Sequence, residues 1–313
     1  AGPTLAVLAA CFVNPYGARG TLFPLELFRK INGQDDFYRR AIGELQGVGD
    51  FLSRFGPFAN IYLTLFLATL LIGAASFAAP LRRGQVSPFR VVLFLAFSYL
   101  GWQAKRNSNL FALVLATVAA WNLGESWPAS SPAGARRLRG ARAAVGVLVG
   151  LLGILVVSNG LYDIAREGRR FGIGERPRWF AHESAQFLTR PGMPDHVLCL
   201  DLGQAAVAIF HAGPERKVFI DPRLEVNPRA ALERYLAILR GIASGRPDWV
   251  SLLGPGGAAD WPAILAQRDR PYAAVLARDP RWRAVHADAI AVVFLPVARA
   301  ERLGLPAVRV DAP

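Results

Sequence analysis

Lys105 and Arg106 stand between two strongly apolar runs in GWQAKRNSNLFALV (101–114), where a pair of charges needs a physical reason. Such a pair can solvate a turn between buried helices, anchor helix ends at a lipid headgroup, or grip an anion such as a phosphate. A second candidate is Glu44, a carboxylate in the charged segment 14–57 that also holds Asp35, Asp36 and Asp50. A carboxylate in such a wall can act on an acceptor hydroxyl or hold a metal ion. A third is the pair Asp221 and Arg223, flanking Pro222 at the end of the strand-like KVFID. Ligands of open α/β sheets bind at strand ends; the alternative is an internal ion pair that fixes the turn. Asp288 reads as a hairpin-turn residue.

Other chemistry finds little support. His182, His196, His211 and His286 all fall in the C-terminal part without ligand-like spacing, and read as surface or packed histidines. Cys11 and Cys199 offer neither a disulfide framework nor a zinc spacing. No dinucleotide or phosphate-binding glycine loop, nucleophile elbow or H-E-x-x-H is present.

The elements that must position these groups are apolar. Of 313 residues 53% are hydrophobic, and mean hydropathy is +0.28. Residues 58–79 carry no charge, and 143–161 form a second such run; each is long enough to cross a bilayer core. Shorter runs at 89–104 and 108–124 flank the basic pair. The expected first region, 1–161, is therefore a membrane α-helical bundle: a partial span 1–13, an outer segment 14–57, and spans 58–79, 89–104, 108–124 and 143–161. Residue 1 reads as a cut through an earlier helix, so the chain is expected to be a fragment of a longer protein.

Charge orients that bundle. Arg82, Arg83 and Arg90 fill one loop, and Arg136, Arg137, Arg139 and Arg142 face only Glu125 in another. The positive-inside rule puts both loops in the cytoplasm, with segment 14–57, the 105–109 turn and the C-terminal part outside. Trp102 toward the outer face, with Trp121 and Trp127 toward the inner one, suits an interfacial aromatic belt. The net charge of +13 splits as +9 over 1–161 and +4 beyond, and no basic patch interleaves with aromatics, which argues against nucleic acid.

From residue 162 short alternating elements follow. A helix is expected over 178–190, a strand at 196–201, a helix at 203–212, a strand at 217–221 and a helix from Pro228 through Arg240. A helix over 260–268, a strand at 272–277 and a hairpin of 282–286 with 289–296 complete the series. Strands alternating with helices predict a small extracytoplasmic three-layer α/β domain over 162–313.

V-N-P-Y-G (13–17), I-G-E-L (42–45), A-K-R-N (104–107), F-I-D-P-R (219–223) and W-R-A-V-H-A-D-A-I-A-V-V-F (282–294) occur in this order. The series resembles the C-terminal half of bacterial membrane glycosyltransferases of the GT-C superfamily, related to mannosyl- and arabinosyltransferases. Leu45 stands where an aromatic is expected and Pro222 where Gly is expected. The resemblance implies transfer of a sugar from a polyprenyl-phosphate carrier to a glycan, lipid or protein acceptor at the outer face of the bacterial inner membrane, in cell-envelope assembly. It implies a catalytic aspartate in an outer loop upstream of this chain, and leaves a divalent cation open as cofactor. On this reading Lys105 and Arg106 meet the lipid phosphate. The alternative is a non-enzymatic, membrane-anchored binding or assembly protein; a transporter ranks third.

Overall fold

The computed structural model describes residues 2–31, 37–58, 60–126, 132–165, 168–176, 178–223 and 227–310. Asp35, Asp36 and Trp127, named above, lie outside the described residues. The protein is mostly helical (64%) with a small mixed five-stranded sheet. It divides into two compact units, Ala1–Phe171 and Gly172–Pro313.

The first unit is helical: α1 (Gly2–Cys11), α2 (Gly17–Ile31), α3 (Phe37–Ala41), α4 (Val48–Phe55), α5 (Ile61–Ser76), α6 (Ala78–Arg82), α7 (Pro88–Gln103), α8 (Ser108–Ser126), α9 (Pro132–Val157) and α10 (Gly160–Ile164). Helix α5 starts where the Asn60 side chain accepts a hydrogen bond from the Leu63 amide at 2.8 Å, a capping contact that satisfies one of the free donors at a helix start. Its buried positions Leu63, Phe66, Gly73 and Ser76 are separated by three, seven and three residues, one helical stripe that faces α8 while Leu65, Leu71 and Ile72 are exposed. Phe66 stacks on Phe111 of α8 at 4.1 Å, and Val48, Leu63 and Leu115 complete this core. Gly101 of α7 lets the helices close up: a Cβ there would sit 2.9 Å from the Phe111 Cβ.

Helices form at all four places where full spans were expected, but only two described stretches meet the length and apolarity of a span, Ile61–Arg82 and Gly134–Val157. The physical reason is length and polarity. The 16 residues of α7 rise only about 24 Å against a hydrocarbon core of about 30 Å. Helix α8 carries Asn122 and Glu125 in its last turns. The apolar part of α9 is not buried by the rest of the chain.

The second unit holds α11 (His182–Phe187), β1 (His196–Cys199), α12 (Leu202–Ala212), β2 (Lys217–Val218), α13 (Arg229–Ala243), β3 (Ala263–Gln267), α14 (Pro271–Arg278), β4 (Trp282–Ala287), β5 (Ala291–Pro296) and α15 (Val297–Arg302). The sheet order is β2-β1-β3-β5-β4. β1 runs parallel to β2 and β3, whereas β5 is antiparallel to both β3 and β4. Val197, Cys199, Ala263, Leu265, Val293 and Leu295 share one core with α11, α12 and α15. The alternate residues Leu198, Ile264 and Phe294 are also fully buried and point to the opposite face, as the period of two requires; α14 packs on β3 and β4, and on α13. Three tryptophans form a column, Trp249 stacked on Trp282 at 5.8 Å and Trp282 on Trp261 at 5.5 Å.

Several expected elements change. The helix over 178–190 shrinks to α11, because Leu188 already ends it and Pro191-Gly192 forbid continuation. The expected helix 260–268 and strand 272–277 exchange types. Ala263–Gln267 is buried at every position beside β1, and Pro271 takes the first turn of a helix, where its missing N–H costs nothing. The hairpin forms, with a register shift between Ala284 and His286.

Candidate functional site

A cavity of about 380 Å³ opens beside the Phe66–Phe111 core of the first unit. Val48 and Phe51 of α4, Leu63 and Phe66 of α5, and Phe111 and Ala112 of α8 give it an apolar wall. Asn60, Ser108, Asn109, Lys105 and Arg169 supply its polar part.

Lys105 is fixed there from two sides. The turn Lys105–Asn107 is a short 3-10 helix, and the Lys105 backbone N–H donates to the Gln46 carbonyl at 3.1 Å. Its ammonium lies 5.1 Å from the centre of the Phe51 ring, within cation–π range. The Ser108 hydroxyl donates to the Lys105 carbonyl at 2.7 Å, and the Asn107 amide to the Leu100 carbonyl at 2.9 Å. Arg106 is exposed and does not line the cavity. Glu44 is exposed on the neighbouring turn Gly43–Leu45, which packs against the 105–107 turn. The lining contains no carboxylate and no imidazole among the described residues. The arrangement can hold an amphiphile, with cations for an anionic head and rings for an apolar body.

Arg90 and Glu125, read from sequence as loop charges, instead pair at the other ends of α7 and α8, Arg90 buried and Glu125 exposed. The Arg90 guanidinium pairs with the Glu125 carboxylate and donates to the Asn122 Oδ1 at 3.0 Å. The Asn122 amide donates to Ser76 Oγ at 3.0 Å, and the Trp121 ring lies 4.6 Å from the guanidinium. A separation of 35 residues between the ionic partners gave no local signal.

Asp221 and Arg223 form the internal pair. Arg223 donates Nε to Oδ1 at 2.9 Å and Nη2 to Oδ2 at 2.6 Å, and its backbone N–H also reaches Oδ1 at 2.8 Å. Those bonds from Arg223 hold the Asp221 carboxyl below the ordinary carboxylate range. Asp288 does more than turn the hairpin: it is buried and accepts from the backbone of Ile290 and Ala291 at 2.7 Å and of Ser184 at 2.9 Å. Burial alone would raise its pKa, and these donors reverse that into a lowering.

The histidines divide. His286 stacks on Phe187 at 4.5 Å. His182 and His211, 29 residues apart in sequence, meet at 2.8 Å, and Glu175 lies 2.6 Å from His182. No family model, curated protein or solved structure matches this chain.

Proposed function

We propose that the chain is the C-terminal portion of a polytopic membrane glycosyltransferase of the GT-C kind, taking a sugar from a polyprenyl phosphate at the outer face of a bacterial inner membrane. The observation that carries this reading is the cavity: apolar rings on one side and Lys105 held on the other. Lys105, aided by Arg169, neutralises the carrier phosphate, while α4, α5 and α8 take the first isoprene units. On this reading Arg106 anchors the helix ends, Glu44 serves the acceptor or a cation, and the general base belongs to a segment outside these 313 residues. The α/β unit contributes to binding a glycan, lipid or protein acceptor.

The test is consumption of a radiolabelled polyprenyl-phosphate sugar by membranes carrying the full-length protein. Lys105→Ala should lower turnover by about 10²-fold, the scale of removing one fixed charge partner, with Lys105→Arg recovering part of it and Arg106→Ala costing little. Parent-like turnover in Lys105→Ala, at equal membrane abundance, overturns the reading.

The absence of a carboxylate or imidazole from the described lining also favours a second reading, a membrane-anchored binding or assembly protein. That protein would bind the lipid phosphate without consuming it.

A further inference from the structure

The second unit brings two imidazoles to one point. His182 opens α11 and His211 lies in the last turn of α12. Nδ1 of His182 is 2.8 Å from Nε2 of His211, with the ring planes at 85°. Without a metal this contact is an N–H···N hydrogen bond between the two rings; a metal ion bound there takes the place of the shared proton, between two nitrogens whose lone pairs already converge. Nε2 of His182 is engaged at 2.6 Å by the Glu175 carboxylate, an acceptor that keeps the proton on Nε2 and leaves Nδ1 as the lone-pair nitrogen. This is the carboxylate–histidine arrangement that orients metal-bound imidazoles and raises their basicity.

We propose that His182 and His211 are the protein ligands of a solvent-open divalent transition-metal site of the Zn²⁺ class, with Glu175 as the positioning residue. Bonds of about 2.0–2.1 Å at a tetrahedral angle put two ligating nitrogens about 3.3 Å apart, so the pair needs to open by only about half an ångström. Imidazole donors select borderline cations such as Zn²⁺ over Mg²⁺ or Ca²⁺. The C-terminal turn of α12, which carries His211, adds the negative end of a helix dipole next to the ion. The side chains of His182 and Glu175 are 38% and 60% exposed, which admits the ion and lets water fill the remaining positions. The site is independent of the glycosyltransferase reading.

The experiment is equilibrium dialysis of the purified full chain in detergent micelles against ZnCl₂, in a Cys11→Ser background that removes the exposed thiol. One Zn²⁺ per chain is expected, lost in both His182→Ala and His211→Ala, and retained in His196→Ala. Glu175→Gln should keep the stoichiometry and weaken affinity by about 10- to 100-fold. Zn²⁺ binding unchanged in both histidine variants, or none by the parent at millimolar Zn²⁺, overturns the proposal. A purely hydrogen-bonding trio would move thermal stability in these variants and leave Zn²⁺ uptake untouched.

Discussion

His286 and Asp288 sit two residues apart and give the α/β unit two acid limbs. Burial lowers the His286 pKa, and its Nε2 has no hydrogen-bond partner among the described residues. The folded state therefore disfavours the imidazolium, and the unfolded chain takes up the extra proton. Stability should be lost as pH falls below the unfolded value of 6.5. Thermal unfolding of His286→Phe, which keeps a ring against Phe187, should lose that dependence. Asp288 is lowered too, so its contribution is present above the unfolded value of 3.8 and lost as pH falls through the folded one. Asp288→Asn should cost about 1–3 kcal/mol near neutral pH, because its amide cannot accept all three backbone donors, and should flatten the lower limb. An acid limb unchanged in both variants would refute this assignment. The Asp221–Arg223 pair was readable from three adjacent residues. The meeting of His182 with His211 was not, since the packing of α11 on α12 creates it and no spacing encodes that.

Among the elements, the crossing of α7 and α8 depends on what Gly101 omits. An alanine Cβ would lie 2.9–3.0 Å from Phe111 and Phe66, closer than packed carbons tolerate. Gly101→Ala should destabilise the first unit by about 1–3 kcal/mol, read as a lower melting temperature in detergent, and should reshape the cavity wall that Phe66 and Phe111 share. An unchanged melting temperature would mean that the rings move aside freely. Elements with strong signals were legible: apolar runs for α5, α7, α8 and α9, and a polar break at 104–109. The stretch at 260–278 was not. A buried pentapeptide such as AILAQ has no period to separate strand from helix, and only its pairing with β1 and β5 decides the matter.

For the whole molecule, charge asymmetry makes an orientation testable. With Cys11→Ser, the remaining Cys199 is fully buried and its thiol pKa is raised by that burial, so it is a poor nucleophile. A single Arg106→Cys should then react with an impermeant maleimide in intact cells, and Arg82→Cys only after permeabilisation. The reverse pattern would invert the topology on which the proposed outer-face chemistry depends. Net charge and apolar runs carried this expectation from the sequence; the pairing of Arg90 with Glu125, which removes one cation from the loop count, needed the folded helices.

The tryptophan column has a use of its own. Indoles stacked within 6 Å couple their excited states, so Trp249, Trp282 and Trp261 should give the α/β unit an exciton signature in circular dichroism that scattered indoles lack. Trp102 and Trp121 of the helical unit have no such stacking among the described residues. One heating scan can then follow the α/β unit by itself through the couplet, while far-ultraviolet ellipticity follows the helices of both units.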